Sequence, residues 1–308
     1  MLLKLSIVGA AFYFIYQKLA NNITLDFPDF LIILSENNIF SYKTVSFLLV
    51  LSISNWFFEI LKWKTLINPF KNISLKQASE QTLGALTASL FTPNRIGEYG
   101  AKALFYRSDF RKKIVLINLI SNLLQLLVTI ILGLFGLFYV LQRYNNDFNI
   151  YKLSIYLATL VLLIILIVVT VFKSKFSFKG FSFEKIKHFL STFPKANLWT
   201  AFGFSGLRYI IFSFQFYVLL KLYKINMTYF EAIPLITSMY LLASIIPSIF
   251  ILDVLVKGSI AVYLFALTGV NELIILSIIT LMWLLNFVLP SILGSYYVLR
   301  FNSKNSIV

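Results

Sequence analysis

The chain has 308 residues, 59% of them hydrophobic and 13% charged, with 27 Lys and Arg against 12 Asp and Glu and a formal net charge of +15. A soluble domain carries about 25% charged residues. Half that share cannot clothe a globule of this size, so this composition, with a mean hydropathy of +0.85, excludes a soluble protein. The basic excess then points to anionic lipid and the positive-inside rule rather than to nucleic acid. With no cysteine, disulfides, thiolate metal sites and a cysteine nucleophile are excluded. The one histidine, His188, lies in a basic polar loop and reads as a solvated side chain. No cofactor, metal or catalytic residue is expected, and the chain reads as a non-enzyme.

A membrane helix needs about 20 mostly apolar residues. Leu5–Leu19 is the first such run; Gln17-Lys18-Leu19-Ala20 has no small-x-small cleavage pattern, so it reads as an uncleaved span over residues 1–20. A mildly acidic stretch, 21–43, leads to a span at Thr44–Leu61 and a basic loop with Lys62, Lys64, Lys71 and Lys76. Residues 78–92 are apolar but short. The segment Lys102–Lys113 is basic, and Ile114–Leu141 is a long span. Leu153–Phe172 is the next apolar helix, followed by the polar loop 173–198, which contains the basic amphipathic stretch Phe183–Leu190. Such a stretch suits the cytoplasmic lipid surface. Trp199–Leu222 carries Arg208; Ala232–Leu252 is interrupted by Pro234 and Pro247; Gly258–Thr268 is short; Leu273–Leu299 is the last span.

The chain repeats itself. Ala88-Ser89-Leu90-Phe91, Glu98 and Lys102 match Ala243-Ser244-Ile245-Ile246, Asp253 and Lys257 at a constant offset of 155. Upstream, Ile73–Ala78 matches Met227–Ala232 at 154; downstream, Gly136–Leu141 matches Gly294–Leu299 at 158. We therefore expect repeats at about 44–143 and 199–300 within one membrane domain, joined by a span and basic loop at 153–198. With the basic loops in the cytoplasm, residues 78–101 enter and leave on one side as a re-entrant hairpin turning near Pro93–Gly97. The second hairpin, turning near Pro247–Asp253, enters from the other side, although Lys221 and Lys224 then fall outside. The expected fold is an all-α polytopic membrane protein of about 6–8 transmembrane helices with two broken hairpins in inverted repeats. The N-terminus, loop 173–198 and C-terminus would be cytoplasmic. Inverted repeats with paired broken helices are the pattern of secondary transporters, and broken backbone at membrane depth needs a protein-lined cavity.

Thr92-Pro93 fits a helix N-cap followed by proline at the first helical position. Arg95, Glu98 and Lys102 would then share one helix face. The helix start favours an anion, Arg95 supplies a phosphate-matching fork, and Gly97 permits close approach. A surface helix stapled by Glu98 and Lys102 is the plainer reading; depth in the membrane favours the cavity. Asp253, set in apolar sequence, reads either as a protonatable switch or as a structural ion pair with Lys257. Arg208 lies within its span and needs an anion from Glu59, Glu98, Asp253 or a lipid phosphate.

Pro93-Asn94-Arg95-Ile96-Gly97-Glu98, followed by Lys102 and Tyr106, resembles the P-x-R-x-G-E motif of the lysylphosphatidylglycerol synthase transmembrane-region family, flippase-like integral membrane proteins of bacteria and archaea. The resemblance covers nearly the whole chain. The second hairpin departs from it: relatives have a glycine-rich stretch ending in Glu, where this chain has Pro247-Ser248-Ile249-Phe250-Ile251-Leu252-Asp253. The sequence ends at Val308 without the soluble domain of the full synthases, so lysyl transfer is not expected. The resemblance implies a flippase-like module of the bacterial cytoplasmic membrane that moves or binds a phosphate-bearing lipid. Arg95, Gly97, Lys102, Arg208 and Lys257 are the candidate substrate-binding residues, and Glu98 and Asp253 the candidate coupling or gating acids. The expected partner is anionic membrane lipid. The alternative is an accessory subunit that binds a lipid carrier or a partner glycosyltransferase or synthase without transport.

Overall fold

A computed structural model describes residues 41–90, 92, 95–144, 177–178, 181–246 and 250–301; the expected first span and the span at Leu153–Phe172 lie outside them. Helix α1 (Tyr42–Ile67) is followed by α2 (Leu75–Ser89), α3 (Ile96–Leu104) and α4 (Ser108–Tyr144). A two-residue antiparallel ribbon, β1 (Ser177–Phe178) with β2 (Phe181–Ser182), precedes α5 (Phe183–Thr192) in the polar loop. Then come α6 (Lys195–Leu222), α7 (Tyr229–Ile245), α8 (Phe250–Ala266) and α9 (Glu272–Trp283). A π-helical turn (Leu284–Val288) continues into α10 (Leu289–Arg300). The protein is an all-helical polytopic membrane protein.

Length sorts these helices. Among the described residues four are long and apolar enough to cross a bilayer: α1, α4, α6 and the continuous α9–α10 rod. At about 1.5 Å per residue, the 15 residues of α2 and nine of α3 cannot each cross a hydrocarbon core about 30 Å thick. They pack on one another across residues 90–95, as α7 packs on α8 across 246–249. Pro234, expected to interrupt its segment, lies inside α7. Its missing N–H removes the bond that Phe230 O, four residues back, would otherwise accept.

The two halves are built alike. Ser74 and Gln77 form a capping box at the start of α2; Thr228 and Glu231 do the same for α7, at the same 154-residue offset. Each box satisfies two N–H groups that an unpaired helix start would leave orphaned. The residue before each, Ile73 and Met227, is buried, as are Ala78 and Ala232. Packing follows the same exchange: α2 lies on α10 as α7 lies on α4, and the counterparts α1 and α6 lie on each other. The α1–α6 pair is antiparallel, because Asn197 near the start of α6 donates to Thr65 O near the end of α1, and Gln215 donates to Leu48 O. Counterpart helices that run in opposite directions are the relation expected of inverted repeats.

Lys221 and Lys224 have local roles that loosen their link to topology. Lys221 donates to Met227 O beyond the end of α6, where a cation complements the helix dipole. Lys224 holds the left-handed turn, with φ of 59°. His188 is solvent-exposed on α5, while Phe189 and Phe193 beside it stack on Phe70, just beyond the end of α1.

Glycine sets the closest helix approaches. A Cβ at Gly294 of α10 would lie 2.2 Å from Leu83 O and 2.3 Å from Thr87 Oγ1 on α2. On the other side Gly136 of α4 meets Pro234 O and Thr237 of α7. Gly294→Ala should destabilise the protein by about 1–3 kcal/mol, read as a lowered thermal midpoint in detergent. Gly203→Ala, inside α6 where nothing lies within 4 Å, should cost no stability and raise it by up to about 1 kcal/mol.

Candidate functional site

The π turn in the α9–α10 rod begins with Pro290. Proline has no N–H and its ring clashes with the carbonyl four residues back, here Asn286 O. Leu289 N–H bonds Leu284 O instead of Leu285 O, so the widened turn orphans two carbonyls. Helix α1 takes both: Ser52 Oγ donates to Leu285 O, and Trp56 Nε1 donates to Asn286 O at 2.9 Å. The Asn286 side chain is also tied down, accepting from Asn55 Nδ2 (2.9 Å) and donating to Gln215 Oε1 (2.8 Å) on α6. Both orphaned carbonyls of this helix defect thereby have partners, and the turn carries Phe287 to the cavity wall.

A cavity of about 300 Å³ opens over this turn. Its wall includes Arg95, Arg208 and Lys257, the amides Asn55, Gln125 and Asn286, and the rings of Tyr209, Phe212, Tyr240 and Phe287. The described lining carries three cations and no carboxylate. Arg95 and Lys257, one from each hairpin, both lie near the Phe287 ring, at 4.8 and 5.5 Å from its centroid. Arg208 donates through Nε to Asn55 Oδ1 (3.0 Å) and through Nη1 to Glu59 Oε2. Of the anions considered for Arg208, Glu59 is its partner. Glu59 also holds Lys62 at 2.7 Å, so two cations share one carboxylate. Lys62, read from the sequence as a loop charge, is 1% exposed inside α1, which runs six residues beyond the expected end of its span.

The first hairpin differs from expectation at its turn. Helix α3 starts at Ile96, not at Pro93, and Arg95 occupies the N-cap position in the left-handed region (φ 56°, ψ 32°) without a side-chain cap. Thr92 Oγ1 caps from across the turn, accepting from Gly97 N–H at 2.8 Å. Glu98 N–H bonds Arg95 O. These two N–H groups are therefore not offered to an anion. Gly97 does serve close approach, but to protein: a Cβ there would meet Thr92 and Ser89 within 3.3 Å.

The left-handed turn leaves Arg95 outside α3, at its N-cap, and Arg95 lines the cavity. Glu98 and Lys102 pack away from the cavity lining: Lys102, fully buried, bonds Glu98 (2.7 Å) and Asn118 Oδ1 (2.8 Å) and lies 4.0 Å over Trp63. Trp63 and Tyr106 both donate to Gln81 Oε1. This network joins α1, α2, α3 and α4. Arg95, Arg208 and Lys257 are thus brought together, while Lys102, Glu98 and Gly97 lie outside the lining. Asp253 is in α8, four residues before Lys257, and its side chain lies outside the described residues. The lining amides Asn55, Gln125 and Asn286 were missed, although an amide within an apolar span is itself a signal. Among the described residues no cluster of His, Cys, Asp or Glu could hold a metal.

The π-turn account makes a two-step prediction. Trp56→Phe keeps the ring and orphans Asn286 O, at a cost of about 1–3 kcal/mol. Adding Pro290→Ala restores a backbone N–H four residues beyond that carbonyl, so the double variant should recover most of the loss in detergent thermal unfolding. Additive losses would contradict the account.

A family model described as lysylphosphatidylglycerol synthase TM region matches residues 1–294. No curated protein and no solved structure matches. The matched span contains both hairpins and the cavity between them, and on it this multi-pass membrane protein belongs to the lysylphosphatidylglycerol synthase TM-region family.

Proposed function

We propose that the protein is a flippase-like transporter of a phosphate-bearing lipid, a phospholipid or a polyprenyl-phosphate-linked lipid, across the bacterial cytoplasmic membrane. The observation that carries this reading is the convergence of Arg95, Arg208 and Lys257 on one cavity at the junction of the two hairpins. Three cations on one cavity wall suit an anion, and guanidinium–phosphate bonds are among the strongest available. Arg95 and Lys257 belong to different hairpins, so movement of either hairpin changes the phosphate's surroundings, which is the requirement for alternating access. The basic loops, including 173–198, and the C-terminus face the cytoplasm in this reading.

We assign Glu98 and Lys102 to holding the first hairpin against α4 through Asn118, not to contact with substrate. Gly97 serves the same hairpin. Asp253, on the helix that carries Lys257, is assigned as the gating acid of the second hairpin.

In proteoliposomes carrying a fluorescent phosphatidylglycerol, the parent protein should accelerate dithionite-accessible flipping. Arg95→Gln combined with Lys257→Gln should lower that rate by about tenfold or more. Lys76→Gln, at an exposed position in the first turn of α2, should leave it unchanged. Parent protein that binds the lipid but moves none alone would replace the transporter reading with that of an accessory subunit.

A further inference from the structure

A second cavity, of about 470 Å³ and mostly apolar, lies between α4, α6 and α7. Tyr209 of α6 lines both this groove and the cation cavity. Helix periodicity explains the division. Arg208 and Phe212, four residues apart, face the cation cavity; Ile210 and Ser213 face the groove; Tyr209 stands between. The groove's outer rim, Phe135 and Phe230, is strongly exposed, as befits side chains that meet lipid rather than water.

The boundary carries unspent hydrogen-bonding capacity. Among the described residues the buried hydroxyls of Tyr209, Tyr240 and Ser213 have no hydrogen-bond partner. An unpaired buried hydroxyl costs about 1–3 kcal/mol, which a ligand oxygen would relieve. Moving along α6, the chemistry passes from cations, through unpartnered hydroxyls, to hydrocarbon. A lipid has that order in its own structure: phosphate, ester or glycosidic oxygens, then chain. A soluble phosphate compound would use only the first part.

We propose that one lipid occupies both cavities at once, its phosphate among Arg95, Arg208 and Lys257, its linking oxygens at Tyr209 and Ser213, and one hydrocarbon chain in the α4–α6–α7 groove. This rests on the phosphate-lipid reading above and adds where the chain lies and which hydroxyls read its linkage. The groove's occupant is that chain, because the groove is apolar and adjoins the cation cavity across one shared wall residue, Tyr209.

The test uses photolabelling in nanodiscs, independent of transport. Phosphatidylglycerol with a diazirine midway along one chain should label groove residues such as Ile210 and Ile233, as well as the annular surface around Trp199. Diacylglycerol with the same diazirine chain should label Trp199's surface equally and the groove at least about fivefold less. Arg95→Gln combined with Lys257→Gln should lower groove labelling by phosphatidylglycerol by a similar factor. Equal groove labelling by both probes would mean annular lipid and overturn the proposal. So would an unlabelled groove with Ile210→Cys instead crosslinking to a cysteine placed in residues 153–172, a clean experiment in a chain without native cysteine. Headgroup-dependent groove labelling in a protein that flips nothing would retain this inference while the transport reading failed.

Discussion

In hydrocarbon, a polar group without a protein partner has no water to fall back on. That constraint organises the whole interior. Pro290 breaks the bonding of the last membrane rod, and the rod survives because Ser52 and Trp56 of α1 accept the task of bonding its two orphaned carbonyls. The amides that complete the repair, Asn55, Asn286 and Gln215, tie α1, α6 and the rod into one polar spine. The cation cavity sits over this spine, and Phe287, carried on the π turn, is the surface that both Arg95 and Lys257 approach. A π turn placed beside this cavity fits the general tendency of such defects to occur at functional sites.

The same constraint divides the buried charges into two kinds. Glu98 with Lys102, and Glu59 with Lys62 and Arg208, are paired and hydrogen-bonded within the protein. Such pairs are poor evidence of net stability, since desolvation offsets their attraction, but breaking one leaves a costly unpaired charge. They fix how the hairpins and spans meet. The second kind comprises the cations of the cavity wall, Arg95, Arg208 and Lys257. Arg208 belongs to both, with Glu59 behind it and the cavity before it.

Much of the architecture was legible in the chain. Apolar run lengths separated crossing helices from hairpins, and the segments matched at a 154-residue offset prove to hold the two capping boxes, a pattern the match did not itself name. The hidden part was set by tertiary packing. Lys62 follows an apolar run and so looks like a loop cation; only burial of Trp63 and pairing with Glu59 extend the helix past it. Arg95 was placed on one helix face with Glu98 and Lys102 because a helical register from Pro93 was assumed, whereas a left-handed turn at a non-glycine residue has no sequence signature. The groove at Tyr209 depends on three helices distant in sequence.

The account's central claim is that a phosphate headgroup binds where the two hairpins meet over the π turn. A cryo-electron microscopy map of the protein in phosphatidylglycerol nanodiscs tests it most directly. We expect headgroup density bounded by Arg95, Arg208 and Lys257 and continuing past Tyr209. Lipid density confined to the outer belt, with the cavity between the hairpins filled only by water, would contradict it.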